Sequence, residues 1–289
     1  MSGERIAVIV PCFNDGATVG ETIASIDEAE PIELVIVDDG STDAHTVEVL
    51  ARLEAEGVRV IRHEQNRGLP AARTTALGAT AAPFVFPLDS DDLSVPGSLT
   101  RLADALEAAP EADAAYGDWI EWDGNDVETL RHVPRSFDPY LIAFRNRYPV
   151  CSMFRRSFLE AVGGWHSVGG MVGYEDWDLW MTLAERGGTA LFVDGIPVVR
   201  YRVHGVRMLH SVAGNHRVLY AELKARHPKL FASLDEHRKR SILSPLQRRL
   251  YPLMFGARRP FGIRRRAKAL LRRVRPRSRR AGARPQSPP

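Results

Sequence analysis

Over the first hundred residues, short apolar runs alternate with amphipathic stretches four times in succession, and few architectures accommodate that pattern. Ile6–Val10, Glu33–Val37, Val58–Ile61 and Phe84–Leu88 read as strands. Helices over about Ala17–Ala29, Ala44–Glu56, Pro70–Ala81 and Pro96–Ala109 follow them in turn. Strands separated by helices of this length predict a parallel sheet with helices on both faces. Ligands bind such sheets beyond the carboxyl ends of the strands. Chemically notable residues fall there: Asn14 and Asp15 after the first strand, Asp38 and Asp39 after the second, Asn66 and Arg67 after the third, and Asp89 to Asp92 after the fourth.

The middle of the chain is less regular. Ala114–Trp122 and Pro149–Phe154 read as strands. A helix over Arg156–Val162 stops at Gly163-Gly164, where a left-handed conformation can end it. Asp176–Arg186 is an amphipathic helix ending at Gly187-Gly188, and Ala190–Val193 and Val198–Val203 resume strand character. Helices are expected from about Arg217, and disordered Arg/Pro/Ser sequence from about Pro276. The division expected is a domain over 1–215, a helical basic extension over 216–275 and a disordered tail over 276–289.

Each polar cluster has a bland and a chemical reading. Asp89-Ser90-Asp91-Asp92 can cap the helix that follows. Alternatively, two carboxylates one residue apart at a strand end can share a hard cation such as Mg²⁺ or Mn²⁺, which in turn holds phosphates. In Asp38-Asp39-Gly40-Ser41-Thr42-Asp43 a carboxylate can accept from a base or sugar while Ser41, Thr42 or Asp43 caps a helix. Arg67 and Arg73 offer guanidinium groups suited to a diphosphate, or serve as ion-pair partners. Glu175 and Asp176 open a helix, where negative charge suits the dipole; as neighbours, their repulsion can also raise one pKa.

Taken in order, the segments Ala7-Val8-Ile9-Val10-Pro11-Cys12-Phe13-Asn14, Val35-Ile36-Val37-Asp38-Asp39-Gly40-Ser41, Asn66-Arg67-Gly68, Leu88-Asp89-Ser90-Asp91-Asp92 and Gly173-Tyr174-Glu175-Asp176-Trp177-Asp178-Leu179-Trp180 resemble a family-2 glycosyltransferase. The resemblance covers about Ile6 to Ser211. It implies a Rossmann-like α/β fold of the GT-A type and a metal-dependent, inverting transfer from a nucleotide sugar, UDP-linked in this reading.

Asp38 or Asp39 would then meet the uracil base, Asp89 the ribose, and Asp91 the Mn²⁺ or Mg²⁺ on the diphosphate. Pro11, Phe13, Asn14, Asn66, Arg67, Gly68, Arg73 and Ser90 would complete the donor site. Asp176 would be the general base, with Glu175 beside it. His204 would join the metal or remain structural. Trp165 and Trp177 would form an acceptor wall, although Trp177 and Trp180 at helical spacing also suit a core. Thr74 departs from the family, which usually has Asn after Ala-Arg, and a change in packing or donor fit is expected there. Processive relatives carry a Gln-x-x-Arg-Trp motif and membrane spans; Gln247-Arg248-Arg249-Leu250 lacks the tryptophan, so one sugar per encounter is expected.

Charge is distributed unevenly. No Asp or Glu follows Glu236, and 18 of the 39 Lys and Arg lie between Arg238 and Arg284, leaving 21 basic against 36 acidic residues before them. The stretch Ile263–Val274 combines an apolar stripe with dense positive charge and suits an anionic leaflet, where lipid-linked acceptors reside. A solvated tail, folding back on the acidic body and nonspecific attraction to nucleic acid are the alternatives, the last not expected to be functional. No stretch approaches the roughly 20 apolar residues of a spanning helix, and Met1–Val10 is too short for a signal peptide. Cys12 and Cys151 fit buried thiols in a reducing cytoplasm. These features lead us to expect a cytoplasmic enzyme, peripheral on the inner face of the plasma membrane. A sugar nucleotidyltransferase would need a Gly-rich, lysine-bearing phosphate loop that Asn14-Asp15-Gly16-Ala17 does not supply. The non-enzymatic alternative is a nucleotide- or glycan-binding scaffold without catalysis.

Overall fold

The first strand, β1 (Ile6–Cys12), is buried along its whole length. A strand with no exposed face must be covered on both sides, and the computed structural model shows how. It describes residues 3–123, 128–170, 173–195, 197–203 and 214–257. β2 (Ile32–Asp38) and β4 (Phe84–Pro87) flank β1 in parallel, and β3 (Arg59–Arg62) lies outside β2. Helices α1 (Val19–Ala24), α2 (Ala44–Ala55), α3 (Leu69–Ala79) and α4 (Ser98–Ala108) connect these strands and lead onward to β6 (Ala114–Tyr116). Two buried clusters result. One lies against α3, with Ala72, Ala76, Val85 and Trp180; the other lies under α2 and α4, with Leu50, Phe86, Leu99 and Leu102.

The seven-stranded sheet is completed by later chain. β9 (Met153–Arg155) inserts antiparallel between β4 and β6, and β10 (Ala190–Phe192) adds in parallel outside β6. A second, four-stranded sheet joins β5 (Leu93–Ser94), β11 (Val199–Arg202), β7 (Trp119–Trp122) and β8 (Glu128–Arg131) in that order. The expected strand Ala114–Trp122 is therefore two strands in two sheets, broken at Gly117-Asp118. Asp118 accepts from Val133 N at 2.9 Å and meets His132 Nδ1 at 2.8 Å, fixing the turn away from β6. The first helix is shorter than expected. After Ala24 the chain serves α4 instead: Gly97 N donates to Asp27 O, and Glu28 accepts from Leu99 N and Thr100 N at 3.0 Å each.

Helices α5 (Pro139–Ile142), α6 (Arg156–Val162) and α7 (Glu175–Glu185) cover the late part of the sheet. They are followed by α8 (His216–Arg226), α9 (Pro228–Ala232), α10 (Leu234–Arg240) and α11 (Pro245–Met254). The described part of the expected extension shares the main core. Leu219, Tyr220, Leu223 and Leu230 belong to the same buried cluster as Trp177 and Trp180. Asp178 on α7 accepts from Arg226 at 2.8 and 3.0 Å and lies 3.0 Å from His227 Nε2. Residues 258–289, and with them the basic stripe at 263–274, lie outside the described residues. Among the described residues no helix is long and apolar enough to cross a membrane. Both cysteines are free and buried, and burial pushes the Cys12 thiol up to about 12.

Candidate active site

The chain order reverses at β1, which has β2 on one side and β4 on the other, so the loops leaving these strands open a crevice. On the β2 side the loops are stitched together by their own polar groups. Asn14, at φ 58°, accepts from Thr42 N at 2.9 Å and Asp43 N at 3.0 Å, and Asp38 accepts from Ser41 N at 2.9 Å. Asp39 accepts from Arg67 N at 2.9 Å and Gly68 N at 2.7 Å, which holds the Asn66-Arg67-Gly68 turn at the head of α3. His63 Nδ1 lies 2.7 Å from the same carboxylate, and its Nε2 lies 3.0 Å from Thr75 Oγ1. Gly40 (φ 75°) makes this close approach possible, since a Cβ there would fall 2.6 Å from the Gln65 carbonyl carbon. Pro11 is buried in β1, while Phe13, Asn66 and Arg67 are exposed at the rim.

On the β4 side carboxylates crowd around one guanidinium. Arg73 on α3 is 1% exposed and donates through Nη2 to Asp89 Oδ1 at 2.5 Å; its Nη1 lies 3.4 Å from Glu175 Oε1. Three distant segments are thus drawn together. Ser90 donates to Asp15 at 2.6 Å, tying the β4 loop to the β1 loop. Asp91 is half-buried, and its carbonyl accepts from Arg202 Nε at 2.9 Å. Asp92 is fully buried and accepts from Arg202 N; burial, with the charges of Asp91 and Asp89, pushes its carboxyl well above the usual range. This part of the crevice carries more negative charge than its two arginines offset.

Asp176 stands at the first turn of α7. Asn146 Nδ2 donates to its Oδ2 at 2.7 Å, and Trp177 N donates to its Oδ1 at 2.7 Å. Burial, reinforced by the neighbouring Glu175 charge, pushes its carboxyl up to about 7. The raised acid expected from that pair is Asp176. Backbone strain accompanies it: Tyr174, just before the pair, is left-handed at φ 71° without being glycine. Its ring stacks on Trp177, and its hydroxyl meets His216 Nδ1 at 2.6 Å, which holds the residue in place.

Some expected residues have other roles. Trp165 and Trp177 do not form an open wall: they are 3% and 5% exposed and belong to the core, and Trp177 donates to Ile142 O at 2.6 Å. Thr74 packs against the helix stop at Gly164, where a Cβ would fall 2.8 Å from its hydroxyl. His204 lies outside the described residues. His63, Asn146 and Arg202 were not singled out from the sequence. Lone polar residues in irregular segments carry no periodic signal, and only folding brings them beside the carboxylates. A cavity of about 160 Å³ between Asp118, His132, Arg135 and Phe192 is lined by none of the expected site residues.

Comparison with known proteins gives the family and the fold. Residues 7–170 match the profile of glycosyl transferase family 2. The chain is 36% identical over 99 residues to the succinoglycan biosynthesis protein ExoU of Rhizobium meliloti, covering 34% of this chain and 29% of the relative. It is 36% identical over 122 residues to an N-acetylglucosaminyltransferase of Azorhizobium caulinodans, covering 40% and 30%. The matches thus span about a third or less of those relatives' lengths. Among solved structures, S. aureus TarS in complex with UDP-GlcNAc superposes with a TM-score of 0.62 at 18% identity, covering 86% of this chain and 70% of that one. A mannosyltransferase from Pyrobaculum calidifontis in complex with GDP-Man and Mn²⁺ superposes with a TM-score of 0.56 at 19% identity, covering 94% and 81%. The fold is the Rossmann-like GT-A fold of these enzymes, and the chain belongs to glycosyl transferase family 2.

Proposed function

We propose that this chain moves one sugar, with inversion, from a nucleotide diphospho-sugar to a hydroxyl of a glycan or lipid-linked acceptor, in the assembly of a cell-surface polysaccharide or glycolipid. The observation that carries the reading is Asp176: a carboxylate near pKa 7, held by Asn146 at the end of the crevice where Arg73 joins Asp89 to Glu175.

An attacking hydroxyl must lose its proton as the glycosidic bond forms. A carboxylate with a pKa near the working pH is suited to accept it, contributing on the order of 10²–10⁴-fold. The bonds from Asn146 and Trp177 N fix the plane of the Asp176 carboxylate and leave lone pairs for the acceptor. Phe13, Arg67 and the Asp38–Asp39 turn form the donor side, with Asp39 acting first through the turn it holds. Arg73 keeps Asp89 and Glu175 at fixed separation.

The carboxylate surplus around Asp91 has the hard-oxygen chemistry that suits Mn²⁺ or Mg²⁺, ions commonly bound by one or two carboxylates together with substrate phosphates. Asp91 and His204 are the residues proposed to hold such an ion, which when bound would neutralise charge on the departing nucleoside diphosphate. Among the described residues no group of three or more His, Cys, Asp or Glu forms an all-protein site.

A thermal-shift screen of UDP- and GDP-sugars with each metal identifies the donor, because a ligand that binds only the native state raises Tm. Donor turnover in Asp176→Asn and Asp91→Ala then tests the roles. Both variants are expected to lose activity, and unchanged turnover in both would remove the assignment. The same two variants separate transfer from mere nucleotide or glycan binding.

A further inference from the structure

The last described helix, α11, presents apolar residues to solvent. It is firmly seated on its other side. Ser244 and Gln247 form a reciprocal capping box at its start. Tyr251 is buried against Tyr140 and Phe144. Pro252 has no N–H to give the Arg248 carbonyl four residues earlier, and the Tyr140 hydroxyl donates to that carbonyl at 2.5 Å instead. The Arg248 side chain is spent inward, donating to the carbonyls of Lys239, Ser241 and Leu243.

With that face fixed, a turn of 100° per residue sends Leu246, Leu250, Leu253 and Met254 outward together. They are 67%, 39%, 53% and 48% exposed, and Ile242, just before the helix, is 54% exposed. A rigid helix that points this much apolar surface at water marks an interaction site.

Charge around the stripe indicates the partner. Arg249 on the same helix is exposed, as are Lys239 and Arg240 at the end of α10. From residue 258 onward the sequence holds 13 Lys and Arg and no Asp or Glu. Of the acids near this segment, Asp138 is buried and accepts from Ser241 Oγ and Ile242 N, and Asp235 at the start of α10 is paired with Arg238. Apolar side chains in a line, bordered by cations, match the boundary between acyl chains and headgroups of an anionic bilayer.

We infer that the outer face of α11 docks this protein on anionic phospholipid membranes, with Leu246, Leu250 and Met254 entering the acyl boundary. The inference stands independently of the transfer reaction. It also locates the contact on a described helix rather than in the basic stripe at 263–274.

The test uses the full chain and vesicles of phosphatidylcholine with or without phosphatidylglycerol. The parent is expected to co-sediment with the anionic vesicles and to retain part of that binding in high salt, where screening weakens only the electrostatic share. Leu246→Ser/Leu250→Ser/Met254→Ser leaves the basic residues intact. It should bind at least about tenfold more weakly, with a Tm lower by roughly 2–6 °C because serine is a poorer helix former than leucine or methionine. Leu246→Glu alone is a second variant that should weaken binding in the same direction. Three results would overturn the inference: a parent that ignores anionic vesicles, a serine variant that binds them as well as the parent, or a parent dimer that becomes monomeric in the serine variant without any vesicle binding. Donor turnover measured on a soluble acceptor is independent of all three.

Discussion

Replacing Arg73 by methionine separates a structural ion pair from a working part of the site. Arg73 is buried, and its guanidinium meets both Asp89 and Glu175. Methionine fills comparable space without charge, so both carboxylates lose their partner; Glu175 Oε2 already lacks one. Breaking a buried pair by removing one member typically costs about 3–5 kcal/mol. For a chain of this size that is a fall in Tm of roughly 6–20 °C. The charge of Arg73 also holds the Asp176 pKa down from where burial and Glu175 would put it. Its loss should move the acidic limb of the kcat/KM–pH profile above its parental position near 7. Pairing Arg73→Met with Glu175→Gln should recover part of the stability, giving a coupling energy by double-mutant cycle. The assays are calorimetric melting and a pH–rate profile with saturating metal. A variant that melts within about 1 °C of the parent, with an unmoved profile, would refute the claim that this cluster is held together and tuned by Arg73.

Asp176 bears on stability with the opposite sign to most carboxylates. Its folded pKa lies at about 7 and the unfolded one near 3.9. The folded state therefore binds more protons between these values, and stability falls as pH rises through that window. Asp176→Asn should consequently melt above the parent at pH 8 and converge with it near pH 4, while losing turnover throughout. Asp178 behaves conversely. Burial pushes its carboxyl up, but the bonds and charges of His227 and Arg226 bring it below the usual range, so its contribution is present at neutral pH and disappears in acid. Asp178→Asn should cost about 2–4 kcal/mol at pH 7 by chemical denaturation, and less as pH drops below 4. Gly164→Ala forces a Cβ against the Thr74 hydroxyl at φ 78°; a loss of about 1–3 kcal/mol, read as a lower urea midpoint, is expected, with partial relief in Thr74→Ala.

Much of the sheet edge was legible because strands announce themselves. Apolar runs that stop abruptly at Asp38 and Asp89 mark the sheet edge, and β-α alternation orders the loops along it. That one acid of Glu175-Asp176 would be raised was legible from their adjacency, but its main cause, the burial of Asp176, is a product of the fold and was not. Asn146 and His63 were not, because their importance lies in which carboxylate they meet rather than in any pattern of their own. Trp165 shows the reverse error: an aromatic near a catalytic motif suggests a binding wall, yet its indole is cheaper to bury than to expose, whereas the helical spacing of Trp177 already suited the core it occupies. The break at Gly117-Asp118 carried a turn signal inside an apolar run, and the run outweighed it.

The antiparallel insertion of β9 has a consequence for how the chain is made. Phe84-Val85-Phe86 on β4 gains its outer neighbour only when Met153–Arg155 arrives, about 65 residues later. At roughly 5–20 residues per second, that edge waits some 3–13 s on the ribosome with its ladder groups open and its flanking side chains apolar. A growing polypeptide of this kind is most prone to stray pairing before its middle third has emerged, so slowing translation between codons 88 and 153 should lower the soluble yield while leaving the finished enzyme unchanged.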